Sequence, residues 1–160
     1  MGARGRGTIS AVRRFVLALI VLVACGSSGF ERFTHRADIE GSDGRAQLRV
    51  RIADSDGERR RGLMGVEELA PDEGMVFLFE EPRSSGFWMK DTLIPLSIAW
   101  YGSDGRNVAF AEMVPCVAEP CRVYEPGAEY VGAAEANAGF FTAHGVEIGD
   151  RITIAEASRG

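Results

Sequence analysis

Residues 86–96 read GFWMKDTLIPL, and this stretch sets Trp88 and Met89 directly against Lys90, Asp91 and Thr92. An exposed indole is a stacking platform, and a buried one needs a partner for its N–H. Lys90 and Asp91 are too costly to bury alone. Together these residues describe a polar rim beside an aromatic floor, which is how a sugar or another small polar ligand is held. They equally describe a plain turn, with Trp88 and Met89 closing the core and Thr92 fixing a solvated Lys90-Asp91 pair. Two more groups belong with them. Arg61 ends the run Arg59-Arg60-Arg61 at a glycine-bounded turn, where its fork can meet Asp91, Glu135 or an anionic ligand, or else cap helix carbonyls. Glu135 follows the small-residue run VGAA, where a carboxylate can act as a site acid or pair with Arg61. The candidate ligand-binding set is therefore Arg61, Trp88, Lys90, Asp91, Thr92 and Glu135.

Asp91 and Glu135 are catalytic candidates only if the protein is a hydrolase, because glycoside cleavage needs two carboxylates at a set separation that sequence does not give. The chain carries no G-x-S-x-G, no P-loop and no zinc signature. Met64, Met75, Met89 and Met113 occupy apolar positions that suit core filling better than soft-metal ligation. His144 ends a predicted helix, where imidazole suits the dipole. No metal and no cofactor is expected.

The first 24 residues differ from the rest. Arg4, Arg6, Arg13 and Arg14 precede Phe15 to Ala24, FVLALIVLVA, ten residues without a polar side chain. Ten helical residues rise about 15 Å, half the hydrocarbon thickness, which favours an export signal over a permanent span. The segment ends LVACG, and Ala24 before Cys25 resembles the lipobox of bacterial lipoproteins. In that class the cysteine is lipidated, the leader is cut before it, and the new N-terminus is acylated by a fatty chain such as palmitate. A soluble secreted protein and an uncleaved anchor are the alternatives. Arg13-Arg14-Phe15 hints at twin-arginine export, and the route stays open between that and general secretion. Removing residues 1–24 removes four arginines and no acid, which takes the formal net charge from −5 to −9. So acidic a body argues against a nucleic-acid partner.

With Cys25 assigned to lipid, Cys116 and Cys121 remain as a pair in MVPCVAEPCRVY. Outside the cytoplasm they are expected to form a disulfide that stiffens one loop, in preference to a metal site, for which only the distant His35 and His144 could join, or a redox dithiol, whose C-x-x-C spacing they lack. Closing so short a loop gains little entropy compared with a long-range bridge.

These residues must be positioned by a small fold. The chain has 160 residues, 46% apolar and 26% charged, enough for one domain. Residues 26–44 are rich in Gly, Ser and charge and read as a tether, giving a division into leader 1–24, lipidated cysteine and tether 25–43, and domain 44–157. RAQLRVRIA alternates as a strand with Arg45, Gln47, Arg49 and Arg51 on a wet face. Ser55 and Glu58 form a capping-box pattern for a helix that Gly62 and Gly65 limit to about two turns. Met75 to Phe79 suit a strand buried on both faces. Phe87 to Met89 and Leu93 to Tyr101 are strand-like, with Pro95 held to an edge or a strand start. Ser103-Asp104-Gly105 turns the chain into the following run as a hairpin. Glu129 to Ala134 is a strand, and Asn137 can cap a short helix that Gly145 ends. VEIGDRITIA reads strand, turn, strand. The sum is a mainly β, compact sandwich or barrel-like single domain with one or two short helices.

The succession RGLMG, GMVFLF, FWMKDTLIPL, AEYVGAAEANAG and HGVEIGD resembles the domain of unknown function 192 family over roughly residues 44–156. The resemblance implies a compact β-rich sandwich and supplies no reaction. Asp91 stands where the family usually has Asn, and Ser97 where it usually has Asp. The expected whole is an exported lipoprotein, held through Cys25 on the outer side of a bacterial membrane or in the cell envelope. There it binds an envelope glycan or protein. The alternatives are a small envelope hydrolase using Asp91 or Glu135, and an assembly protein without a small ligand.

Overall fold

The structure is a computed structural model and describes residues 1–2 and 33–157. The leader, Cys25 and residues 26–32 of the expected tether lie outside the described residues. Among the described residues there are nine strands and two short helices: β1 His35–Gly41, β2 Gly44–Ala53, α1 Asp56–Arg61, β3 Glu73–Arg83, β4 Phe87–Trp88, β5 Leu96–Tyr101, β6 Asn107–Met113, β7 Val123–Tyr124, β8 Tyr130–Asn137, α2 Phe140–Ala143 and β9 Ile152–Glu156.

The fold begins earlier than residue 44. Residues 35–41, assigned above to the tether, form β1, which pairs antiparallel with both β2 and β9. Ala37 and Ile39 are its two anchors and are fully buried. Gly41 pairs with Gly44 around the two-residue turn Ser42-Asp43, and Gly44 has φ 112°, a conformation open to glycine at little cost. The Gly-Ser-Asp-Gly run is therefore a hairpin turn rather than linker.

Seven strands form one sheet in the order β6-β5-β8-β3-β2-β1-β9, with β2 and β3 parallel and α1 in the connection between them. The two outer strands meet. Arg106 and Arg151 make a bridge, the Asn107 N–H donates to Asp150 O at 2.7 Å, and the Ile152 N–H donates to Gly105 O at 2.8 Å. The sheet thereby curls toward a barrel that closes at one end of its two outer strands. Formation of this seam overrides the strand expected over VEIG: only Ile152–Glu156 is strand at the C-terminal end. Gly149 and Asp150 instead bond across to Asn107. β4 and β7 form a separate two-stranded sheet.

Alternation along the strands divides the core in two. One cluster holds Ala37, Ile39, Leu48, Val50, Val76, Ala99, Ala134, Ala136 and Phe141. The other lies on the opposite face and holds Ala53, Leu63, Met75, Phe77, Met89, Ile98, Trp100, Tyr130 and Ala133. Arg45, Gln47 and Arg49 are exposed as the alternation requires, but Arg51 is buried. The wet face of β2 ends there, because Ala53 on the same face already belongs to the second cluster.

α2 is capped differently from expectation. Its N-cap is Gly139, at φ 81°, whose N–H donates to Ser97 Oγ at 2.7 Å and to Glu112 Oε2 at 3.0 Å. Asn137 is instead the last residue of β8, and its Nδ2 donates to Leu69 O and Ala70 O. His144 closes the helix, with Nδ1 2.8 Å from Phe140 O, in the structural role its position implies.

Candidate functional site

The WMKDT stretch is a tight turn. The Thr92 N–H donates to Met89 O at 3.2 Å, and the Thr92 hydroxyl donates to Lys90 O at 3.3 Å. Asp91 takes φ 53°, a left-handed conformation that Asn and Asp tolerate best among residues with a side chain. Asp91 O accepts the Gly65 N–H at 2.8 Å, which clamps the turn to the end of the RGLMG segment. That backbone role accounts for an Asn or Asp at position 91 without any use of its side chain.

RGLM is shaped by the end of α1. The capping box of Ser55 and Glu58 starts the helix, and Gly62 stops it at φ 47° with its N–H on Glu58 O. A Cβ on Gly62 would stand 3.3 Å from the Phe77 ring. The chain reverses there, so Leu63 drops into the second core cluster while Arg61 stays exposed.

Between these two segments lies a small hollow of about 30 Å³, lined by Arg59, Arg60, Arg61, Trp88, Thr92 and Glu135 over a floor that includes Phe77 and Phe87. Four of the six candidate residues, Arg61, Trp88, Thr92 and Glu135, thus come together. Trp88 is 51% exposed on the rim, and Thr92 is buried. Phe87 packs edge-on against Phe77, with centroids 5.0 Å apart, which fixes β4 and the neighbouring indole against the barrel.

Glu135 is the distinctive member. It lies in β8 between Met75 of β3 and Ile98 of β5, on the face of the second cluster, and is 4% exposed. No hydrogen bond or ion pair joins its carboxyl group to another described residue, and the group lines the hollow. Burial pushes its pKa up from 4.5 to about 8, so the group is mostly protonated at neutral pH. Of the alternatives for Arg61, the pairs with Glu135 and Asp91 do not form. Among the described residues Arg60 and Arg61 have no carboxylate within ion-pair distance. Arg59, by contrast, is engaged with Asp56 at 2.6 Å, with Leu78 O at 2.9 Å and with Asp54 O.

Lys90 and Asp91 do not line the hollow. Lys90 Nζ pairs with Glu119 Oε1 at 3.1 Å and lies 5.7 Å from the Trp88 ring centroid. Hydrogen bonding to Glu119 holds the Lys90 pKa above its ordinary value. Glu119 is set in turn by the Cys121 N–H, 3.1 Å from its Oε2, inside the loop closed by the Cys116–Cys121 disulfide. The stiffened loop therefore reaches the indole through Glu119 and Lys90. Asp91, exposed on the turn, does not share the hollow with Glu135, so among the described residues the lining holds one carboxyl and not a pair. Arg59 and Arg60 were visible as a basic run. Phe77 and Phe87 had no signal beyond hydrophobicity.

Ser97, the other departure from the family pattern, lies on the opposite face of the sheet. Its hydroxyl donates to the Glu112 carboxylate at 2.7 Å, directly across the β5–β6 pair. Glu112 thus places a carboxylate beside position 97, where both side chains accept the Gly139 N–H that precedes α2.

Fold and site together define a small, nearly closed β-barrel domain with one buried carboxyl group beneath an arginine and tryptophan rim. The chain belongs to the domain-of-unknown-function 192 family, described as an uncharacterised ACR, whose model matches residues 38–154. The match begins inside β1. Two solved structures are similar. A protein of unknown function from Novosphingobium aromaticivorans is 31% identical with a TM-score of 0.69, covering 74% of this chain and 83% of its own. A protein from Sinorhizobium meliloti, described as a candidate transcription regulator, is 30% identical with a TM-score of 0.70, covering 79% of this chain and 95% of its own. Comparison with the curated proteins returns no match.

Proposed function

We propose that this protein is a lipid-anchored, exported binding module that holds a cell-envelope glycan at the hollow between α1 and the Met89–Thr92 turn. One observation carries the reading: Trp88 is half exposed on the rim of a hollow that also presents the Glu135 carboxyl and Arg60 and Arg61, which have no carboxylate within ion-pair distance among the described residues. An open aromatic face with polar groups at its edge suits a sugar ring, whose axial C–H faces stack while its substituents hydrogen-bond. The anchor is supported by the order of basic segment, short apolar run, Ala24 and Cys25. The formed Cys116–Cys121 bridge supports an oxidising compartment. A single carboxyl in the lining favours binding over two-carboxylate hydrolysis. The acidic domain gives no support to a nucleic-acid partner.

The test is a fluorescence titration with soluble disaccharide-peptide fragments of peptidoglycan. Trp100, the second tryptophan, is fully buried, so surface quenching reports Trp88. Saturable quenching in the wild type that disappears in Trp88→Ala, with the fold intact, is expected. Saturable binding that is undiminished in Trp88→Ala refutes the platform. Release of the protein from the membrane fraction by Cys25→Ser tests the anchor.

A further inference from the structure

We propose that the hollow is a carboxylate-binding site, in which Arg61 receives the ligand carboxylate through its guanidinium fork and the Glu135 carboxyl group hydrogen-bonds to it. This deepens the reading above by naming the ligand group that enters beside the indole: an acidic sugar substituent or a peptide carboxylate, rather than a neutral hydroxyl or an amine.

Three features of the hollow point there. First, its only carboxyl group is deeply buried and has no partner among the described residues, yet it lines the hollow. A ligand carboxylate entering the hollow meets a hydrogen-bonding group that no described residue already engages. Second, the surroundings are cationic in an otherwise acidic domain. Arg59, Arg60 and Arg61 of α1 line the hollow. Arg51 of β2 is held below the usual guanidinium range, chiefly by burial and further by the charge of Arg61. Among the described residues lining the hollow there is no second carboxylate. The strand neighbours of Glu135, Met75 and Ile98, are apolar, Trp88 and Thr92 carry no charge, and Lys90 and Asp91 stand outside. Third, the space is small. About 30 Å³ admits a group the size of one or two waters. A carboxylate fits this space while the body of its ligand stays on the Trp88 face.

The protonation logic selects the sign of the ligand. Burial keeps the Glu135 proton in place at neutral pH. A neutral carboxylic acid donates to a carboxylate in a short charge-assisted bond, and the guanidinium fork satisfies the other oxygen. An ammonium ligand would need an ionised Glu135 and would face the arginines. Carboxylate binding must therefore raise the midpoint of Glu135 titration, whereas amine binding must lower it, since each ligand stabilises the form it binds.

The experiment follows the Glu135 carboxyl carbon by 13C NMR in the intact disulfide-bonded domain, titrated from pH 5 to 10. Three probes of similar size are added separately: propionate, propionamide and propylammonium. Propionate is expected to raise the midpoint, by about one pH unit at a tenfold excess over its dissociation constant. Propionamide should leave the midpoint unchanged, and Arg61→Gln, an exposed and foldable change, should abolish the propionate effect. A midpoint unmoved by 50 mM propionate (concentration chosen as roughly ten times a millimolar-range constant), or lowered by propylammonium, overturns the proposal. The small probes do not touch the glycan reading, which stands or falls separately on Trp88 quenching. Glycan binding without a propionate effect leaves the platform and removes the carboxylate site.

Discussion

Glu135→Gln tests the buried carboxyl directly, because the amide keeps the shape and removes the titration. The Glu135 pKa rises from 4.5 to about 8 on folding. The folded protein retains a proton that the unfolded chain releases above pH 4.5. Folding is therefore unopposed by this group below pH 4.5, increasingly opposed from pH 4.5 to 8, and opposed by a constant amount above pH 8. At 1.36 kcal/mol per pH unit, the penalty at pH 7 is about 3 kcal/mol, and it approaches zero near pH 4. Every other titrating group is shared by the two proteins and cancels in their difference. The expected outcome is a variant whose stability advantage over the wild type grows by about 3 kcal/mol between pH 4 and pH 7. In urea unfolding that is roughly 1–2 M in midpoint. A constant offset across the window, with parallel pH curves, would refute the claim that Glu135 is buried without a partner.

Gly62→Ala should cost about 1–3 kcal/mol in denaturant unfolding, since φ 47° is costly for alanine and its Cβ would press on the Phe77 ring. Ile39→Ala should cost about 2–5 kcal/mol, because the side chain is fully buried in the first cluster. A negligible loss would return β1 to the tether. Glu119→Ala should shift Trp88 emission while leaving the unfolding midpoint nearly unchanged, since the Lys90–Glu119 pair is exposed but stands beside the indole. Replacing Cys116 and Cys121 together by Ser should give the same spectral shift with a modest stability loss, about 2 kcal/mol for so short a loop. Unchanged emission in both variants would disconnect the loop from the indole.

Much of this fold was legible because its signals are local. The alternation of RAQLRVRIA, the Ser55–Glu58 capping box and the Ser103-Asp104-Gly105 turn each specify their element within a few residues, and each element is present. What was missed depends on distant partners. β1 offers only Ala37 and Ile39 as apolar anchors, too few to separate a strand from linker until β2 and β9 close around it. Asn137 has the chemistry of a cap, yet the distant carbonyls of Leu69 and Ala70 claim it and Ser97 takes its place. The site divides in the same way. Arg61, Trp88 and Thr92 converge with Glu135 because RGLM and WMKDT are both reversals bound together through Gly65 and Asp91. Lys90, adjacent to Trp88 in sequence, is drawn aside by Glu119, a partner that only the disulfide loop delivers.

The two-sided pairing of β1 has a mechanical consequence. The chain leading from residue 33 runs straight into a strand held by seven registered positions on β2 and five on β9. A load transmitted along that chain to the barrel pulls β1 lengthwise, so both ladders are sheared at once rather than peeled one bond after another.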